Sequence, residues 1–424
     1  MMDIKVYSKS ITLFAIAFIA GTSVKGQSTS SQRAEQLQLN TITTAVPFLL
    51  ITPDSRSGGM GDAGVASLND MNAVHWNASK LGFTEKKMGI AISYTPWLRA
   101  LVPDINLAYV TGFYKTKKSG TIAASLRYFS LGDITFTDQN GQTTGQFRPN
   151  EFAIDIAYGK KLADNFAVGG AVRYINSNLT GNALVESSQT HAGRSVAVDL
   201  SALYKKEKIK LGDKKAIAAL GINISNIGAK MSYSDRGERN SSDFIPINLR
   251  LGGSLNVNLD DYNSISILAD INKLLVPTPP QYKYKTDTNG VTTGEIDTDA
   301  DGNPIIAAGK DPNRGVAEGM FGSFSDAPGG GKEELREINY SIGLEYWYNH
   351  LFAIRAGYFY EHPTKGNRQF FTIGAGVKYN VFGLDFAYLI PTQQRNPLEN
   401  TLRFTLTFDF DAFKAQNNEE GAAQ

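Results

Sequence analysis

The sequence predicts an all-β transmembrane protein, an outer-membrane barrel of about fourteen antiparallel strands with an N-terminal plug segment. Two observations lead to this fold class. Apolar and polar residues alternate along many segments, and the segments are separated by gaps that are alternately long and short. The segments also run to about 9 to 13 residues, whereas soluble strands usually have about 5 or 6 and a tilted membrane strand needs about 9 to 11.

Period-two alternation is clearest near the end of the chain. Residues 401–410 place Leu402, Phe404, Leu406, Phe408 and Phe410 on one face and Thr401, Arg403, Thr405, Thr407 and Asp409 on the other. A soluble sandwich alternates in the same way. Segment length and loop asymmetry therefore carry the membrane prediction.

The candidate strands are residues 88–97, 104–114, 119–130, 150–159, 165–177, 194–205, 216–225, 246–257, 263–272, 339–348, 351–361, 370–379, 382–390 and 401–410. Long and short gaps fall on opposite ends of these strands, as in barrels with extended outer loops and tight periplasmic turns. The pattern predicts that loop 273–338 lies outside, and that turn 349–350 and both termini lie in the periplasm. Aromatic residues near strand ends predict interfacial girdles: Tyr94, Trp97, Phe129, Tyr158, Trp347, Tyr348, Tyr358 and Tyr360.

The N-terminal residues have the pattern of a secretory signal peptide, residues 1–26. The alternative is a membrane anchor, but apolar residues 11–21 cover about half of the 20 that a spanning helix needs. We therefore expect a signal peptide (1–26), an N-terminal periplasmic or plug segment (27–87), the barrel (88–410) and a polar tail (411–424).

Composition excludes several classes of protein. The 42 basic and 41 acidic residues give a net charge of +1, without the clustered basic face that a nucleic-acid partner requires. Cysteine is absent, which excludes disulfides, thiolate nucleophiles and cysteine-ligated metals. The sequence also lacks G-x-S-x-G and H-E-x-x-H motifs, so we expect neither catalytic residues nor a cofactor.

The stretch before the barrel is apolar and then rich in glycine. Gly59, Gly61 and Gly64 fit G-x-G-x-x-G, but no strand leads into the first glycine and no βαβ unit follows, which argues against dinucleotide binding. We expect a compact plug whose glycines allow close backbone packing. Its candidate residues are Pro47, Phe48, Leu49, Arg56, Gly59, Gly61 and Gly64.

Three blocks of sequence resemble the PorV family, also called LptO, within the FadL-like barrel superfamily. The first comprises residues 45–51 (AVPFLLI), 54–56 (DSR), 58–64 (GGMGDAG) and 75–77 (HWN); the second spans 309–337; the third is 396–405 (NPLENTLRFT). The tail after Phe410 and the Asp-rich insert 287–303 depart from the family pattern.

The resemblance implies a non-enzymatic outer-membrane protein of the type IX secretion system. Such a protein accompanies the translocon barrel, receives secreted substrates through their C-terminal signal domains, and passes them to the attachment complex that contains the PorU sortase; its outer wall contacts outer-membrane lipid. The alternative is a FadL-like transporter of hydrophobic or small solutes.

Charged residues on the polar strand faces argue against an oily conduit. Alternation directs Arg127, Arg173, Arg250, Arg355, Lys378, Arg403, Asp155, Asp199, Asp270, Glu345, Asp385 and Asp409 inward. Six charges of each sign predict a paired lattice, because a selective pore normally shows one sign. A filled barrel used as a platform fits this pattern better than a channel.

The long loop contains two candidate sites. Lys310, Asp311, Asn313, Arg314, Phe321 and Phe324 combine charge with exposed aromatic rings, which predicts a protein-docking surface; a lid folded over the barrel is the alternative. Asp297, Asp299 and Asp301 match the first half of an EF-hand loop, but Ala308 occupies the position that requires Glu. A weak external calcium site and a solvated acidic loop both remain open.

Overall fold

The computed structural model describes residues 39–411 except 118–119, 138–139, 182–183, 186–187, 235–241, 288–290 and 395. The expected signal peptide, the first part of segment 27–87 and all but the first residue of tail 411–424 lie outside the described residues. None of the helices in the described ranges has the length and apolar character needed to cross a membrane.

Fourteen antiparallel strands form a closed barrel, which confirms the predicted fold class. They are β1 (Met88–Pro96), β2 (Asn106–Lys115), β3 (Thr121–Ser130), β4 (Asn150–Ala163), β5 (Phe166–Asn178), β6 (Gly193–Leu211), β7 (Lys214–Gly228), β8 (Asn248–Asn258), β9 (Asn263–Leu274), β10 (Asn339–Tyr348), β11 (Phe352–Tyr360), β12 (Gln369–Tyr379), β13 (Phe382–Pro391) and β14 (Leu402–Asp409). Each strand pairs with the next, and β1 pairs with β14 from Gly89↔Asp409 to Tyr94↔Phe404. The barrel itself therefore has no open edge strand.

Alternation along the strands separates a lipid-facing wall from the interior. In β3, Ile122 and Leu126 face outward, whereas Ser125 and Arg127 are buried inside. Exposed apolar side chains on the outer wall are expected because lipid replaces water there. The predicted aromatic girdle is partly wrong. Tyr94, Tyr158 and Tyr348 lie on the outer wall, as predicted. Phe129 and Trp347 are buried in the interior, because each lies an even number of residues from an inward-facing residue of its strand.

The two ends of the barrel differ in their connections. The long-loop end carries the connections 97–105, 131–149, 179–192, 229–247, 275–338, 361–368 and 392–401. The opposite end, the short-turn end, carries the connections 116–120, 164–165, 212–213, 259–262, 349–351 and 380–381. The predicted gap between residues 205 and 216 is wrong, since β6 and β7 continue through it to a tight turn containing Gly212, whose φ is +63°. The alternation of long and short connections is therefore stricter than expected.

Short elements complete the fold. Before β1 lie a 3-10 turn (Pro47–Leu50), α1 (Ser55–Gly58), α2 (Ala73–Trp76) and a second 3-10 helix (Ala78–Phe83). The 275–338 loop carries the paired strands Gln281–Tyr282 with Ile306–Ala308 and Tyr284–Thr286 with Thr292–Ile296, then α3 (Val316–Gly322) and α4 (Gly331–Arg336). Strands Ile134–Thr137 and Thr143–Phe147 pair in another long loop.

Candidate functional site

The N-terminal segment, residues 40–87, runs through the barrel interior from the long-loop end to the short-turn end. At its start, the Asn40 backbone N–H donates to the Thr364 carbonyl at 3.0 Å and its side chain donates to the Pro279 carbonyl at 3.1 Å, both in long loops. At its end, Lys87 leads directly into β1. The described part of the segment is thus enclosed by the strands instead of lying beside the short-turn end.

Glycines on facing strands let the segment approach the wall closely. A Cβ added to Gly343 on β10 would lie 2.6 Å from Met60 Cβ, and one added to Gly357 on β11 would overlap the backbone of Met60 and Gly61. Gly61 itself has a φ of +66°, a conformation that favours glycine. Main chain therefore packs directly on main chain at this wall, with no room for a side chain between.

A buried ion-pair cluster ties α1 to the barrel. Arg56 donates two hydrogen bonds to Glu345, at 2.9 and 2.7 Å, and a third to Asp70 at 2.9 Å. Arg355 donates to the same Glu345 at 2.8 Å and to Asp385 at 2.7 Å. Removing one partner from a buried pair typically costs about 3–5 kcal/mol because the remaining charge is left uncompensated. This cluster links the segment directly to β10 and, through Arg355, to β11 and β13.

Further polar contacts distribute the attachment around the barrel. Arg403 on β14 donates to Asp62 at 2.9 Å, and Asp270 on β9 accepts from the backbone N–H groups of Gly64 and Val65 at 2.7 and 3.0 Å. Ser79 N–H donates to Ser201 on β6 at 3.0 Å. The segment is consequently held from several sides.

The predicted charge lattice exists in part. Ten of its twelve members are buried: Arg127, Arg173, Arg250, Arg355, Arg403, Asp155, Asp199, Asp270, Glu345 and Asp385. Lys378 and Asp409 lie at the short-turn rim, where Lys378 is exposed and Asp409 pairs with Lys86. Strict pairing is wrong for Arg250, which forms no salt bridge in the described part of the chain, and for Arg127, which donates to the Leu49 carbonyl at 2.7 Å instead of to a carboxylate. A backbone carbonyl of the N-terminal segment therefore takes the place of a carboxylate as the partner of Arg127.

Most of the apolar run 45–51 is buried or half-buried in the half of the barrel nearer the long loops. Phe48 stacks on Phe129 with ring centroids 6.1 Å apart, and Leu49 belongs to the same core cluster. Pro47 is exposed to the cavity described below, and its ring begins the 3-10 turn. Burial of this run removes an apolar surface that would otherwise promote association.

Four of the six predicted docking residues in the long loop lie together. Lys310, Asp311, Arg314 and Phe321 line a shallow surface depression of about 560 Å³, whereas Asn313 and Phe324 do not border it. Phe321 is 72% exposed and Phe324 51% exposed. Both rings therefore face solvent on the long-loop side.

Helix α3, which contains Phe321, also packs against the barrel. Gly319 is buried against the Phe244 ring, and Met320 packs on the apolar cluster beneath. Arg314 donates to the Asp311 carbonyl at 2.6 Å and approaches Asp326 at 3.9 Å. Burial, and then the charge of Glu334, raise the pKa of Asp326. One face of α3 thus packs on the apolar residues beneath it, while Phe321 is exposed.

The acidic candidates Asp297, Asp299 and Asp301 do not converge. Asp297 pairs with Lys283 at 2.9 Å, and Asp299 accepts hydrogen bonds from the backbone N–H groups of Asp301 and Asn303, both at 2.9 Å. Within the described ranges no group of three acidic or histidine side chains is arranged to hold a metal ion.

A cavity of about 440 Å³ lies in the half of the barrel nearer the long loops. Its walls come from the start of the N-terminal segment, several strands and the 361–368 and 392–401 loops. Sequence analysis directed Arg250 and Arg403 inward but did not find this cavity, because it assigned Trp97 to a strand end as a girdle residue and because Leu398 enters from a loop that carries no periodic signal.

A closed fourteen-stranded barrel with an apolar outer wall and long loops at one end defines an outer-membrane β-barrel protein. Residues 33–281 match the family model described as type IX secretion system protein PorV. The chain belongs to the PorV family and is an outer-membrane component of the type IX secretion system.

Solved structures include similar barrels. The Pseudomonas putida toluene transporter TodX is 12% identical, with a TM-score of 0.43, over 83% of this chain and 96% of that one. A Pseudomonas aeruginosa FadL homologue is 12% identical, with a TM-score of 0.41, over 88% of this chain and 100% of that one. No curated protein sequence matches the chain.

Proposed function

We propose that this protein binds secreted substrates at the translocon through their C-terminal signal domains and passes them to the attachment complex containing the PorU sortase. The protein itself performs no chemical step in this scheme. Membership of the PorV family supports the assignment to the secretion system, and the resemblance of the loop block 309–337 supports the more specific role.

The observation that carries the proposal is the combination of an occupied interior with a free aromatic face outside. Arg56 and Glu345 hold the N-terminal segment across the lumen, while Phe321 and Phe324 project from the long loop. Exposed aromatic rings beside charged groups are typical of binding anchors in protein interfaces. A barrel built in this way suits a docking platform better than a conduit.

The test is co-purification from gently solubilised membranes. Replacing Phe321 and Phe324 by Ser should reduce recovery of the translocon or of cargo, while the barrel still shows the heat-dependent gel mobility of a folded membrane barrel. Tyr284→Ser is the matched control, since Tyr284 is an exposed aromatic residue on a separate hairpin of the same loop. Unchanged co-purification and secretion in the double variant would contradict the proposal.

Solute transport is the second candidate function, and the 440 Å³ cavity is the observation that favours it. Ligand sites in proteins commonly enclose about 300–1,000 Å³ and combine apolar walls with a few polar groups. Uptake of small apolar solutes that depends on this chain, with secretion unaffected, would favour transport over docking.

A further inference from the structure

The cavity at the long-loop half has walls of mixed chemistry. Leu50, Ile51, Trp97, Phe359 and Phe370 provide apolar surface. Threonine and asparagine side chains border the same space, and the Asn272 Oδ1 atom there is buried without a hydrogen-bond donor. Such walls suit a slender chain that is largely apolar and carries some hydrogen-bonding groups.

The charges that line the cavity are paired with one exception. Asp62 pairs with Arg403 at 2.9 Å, Glu361 with Arg368 at 2.7 Å, and Glu337 with Lys365 at 2.9 Å. Arg250 on β8 also lines the cavity, yet it forms no salt bridge with any residue in the described part of the chain. The lining therefore contains one more basic group than acidic groups.

Arg250 is held rigidly but is left incompletely bonded. Its side chain lies over the Trp76 ring, 5.0 Å from the guanidinium carbon to the ring centroid, and the residue is 6% exposed. Its Nη1 atom has no hydrogen-bond partner, and neither does Nε of Arg403, which lines the same cavity. A buried guanidinium with no carboxylate within salt-bridge distance is costly, and a bound carboxylate would supply both the charge and the acceptor oxygens.

We infer that this cavity binds a carboxylate at the end of a slender, largely apolar chain, with Arg250 as the residue that receives the carboxylate. Two sources share this chemistry, the C-terminus of an extended polypeptide and a fatty acid. The unpartnered Asn272 oxygen can accept from an N–H donor, which a peptide has and an ionised fatty acid lacks, and this favours the peptide source. In that form the inference rests on the proposed function and places the final residue of a secreted substrate in the cavity.

The experiment measures binding to the purified full chain in a non-ionic detergent. The probes are a fluorescent peptide with apolar final residues and a free C-terminal carboxylate, the same peptide as its C-terminal amide, and a fluorescent fatty acid. The free acid should bind roughly 10- to 100-fold more tightly than the amide, the range expected for a charged hydrogen bond of about 1.5–3 kcal/mol. Arg250→Gln should abolish that difference and Arg250→Lys should retain part of it.

Arg148→Gln is the matched control, because it removes an arginine that pairs with Asp133 in an exposed loop and lies outside the cavity. Binding of the fatty acid alone, dependent on Arg250, would keep the carboxylate site and assign it to lipid. Equal binding of acid and amide peptides, together with fatty-acid binding that ignores Arg250, would overturn the inference. Cargo co-purification is scored separately: if it persists in Arg250→Gln, the carboxylate site fails as a cargo site while the proposed function stands.

Discussion

Individual residues show what the period-two alternation of a strand can predict and what it cannot. The alternation placed Arg173, Arg355 and Arg403 in the interior, and all three are buried there. Alternation could not assign Asp62 as the partner of Arg403, or Arg56 as a partner of Glu345, because Asp62 and Arg56 come from a segment whose path has no periodic signal. Inward direction is thus a local property of a strand, whereas ion pairing depends on what else enters the barrel.

Gly357 gives a residue-scale prediction about the contact between segment and wall. A methyl group there would overlap the Met60 and Gly61 backbone, so Gly357→Ala should displace the segment at a cost of about 1–3 kcal/mol, the usual range for overpacking. Trypsin cleavage after Arg56, which is nearly buried in the intact barrel, should become faster. Gly253→Ala is the control, since its methyl group would meet no atom nearer than 3.5 Å. Equal protection of Arg56 in the two variants would count against direct backbone packing.

Glu333 gives a second residue-scale prediction, on pH. It accepts from Lys365 Nζ at 2.6 Å, from Asn40 Nδ2 at 2.9 Å and from the Gly329 N–H at 2.6 Å. Burial alone would raise the pKa of Glu333, but these donors outweigh it and hold that pKa below its usual 4.5.

A depressed pKa means that the stabilisation is present above pH 4.5 and is lost as the pH falls through the folded-state pKa. Hydrogen–deuterium exchange of residues 40–45, corrected for intrinsic rates, should therefore be constant from neutral pH down to about 5 and accelerate in acid. Glu333→Gln should exchange quickly already at neutral pH. If the variant kept the acid transition of the unmodified protein, another group would be responsible.

Among the elements, the β6–β7 hairpin shows where alternation fails. Pairing of β6 with β5 ends at Tyr204↔Phe166, and the strand nevertheless continues to Leu211. The register of β6 against β7 shifts between Lys206 and Ile209, and Lys208 has a φ of +59°, which marks a bulge. After one extra residue, the positions that would face inward face outward and the reverse. A strand with a bulge therefore has no continuous period-two signal. Most other strands are regular, and their positions were predicted within a few residues.

The protruding hairpin gives the element-scale prediction. Residues 206–211 extend past the last pair with β5, so they add little to barrel closure. Replacing residues 207–213 by Asn-Gly should leave the folded barrel in the outer membrane with unchanged heat-dependent gel mobility, because Asn-Gly together with residues 214–217 can still connect the paired residues Lys206 and Ala218. The matched comparison is the same replacement within β10, which closes the barrel. Loss of the folded form in the hairpin variant would show that the projection is required for assembly.

At the scale of the whole molecule, the interior is filled by two kinds of material. Strand side chains alone fill a barrel of about eight strands, so a fourteen-stranded barrel needs something more. The N-terminal segment supplies it, with Trp76, Met60 and Leu81 fully buried inside. The width of the predicted barrel indicated that strand side chains alone would not fill it, and the assignment of the plug residues stays a prediction. The contacts at Gly357, Glu345 and Asp270 depend on the closed barrel and could not be derived from the segment alone.

The filled interior predicts poor conductance. Purified protein in planar bilayers should show little steady current, because Arg56, Asp62 and Gly61 connect the segment to strands on one side of the lumen and Ser79 connects it to the other. Deleting residues 40–64 removes α1 and the glycine-rich turn, leaves Glu345 without Arg56, and should open a stable channel. The 207–213 hairpin replacement is the control, since it alters the short-turn end without touching the lumen. Large steady channels from the intact protein would show that the segment does not seal the barrel, and solute transport would then displace substrate docking as the better supported function.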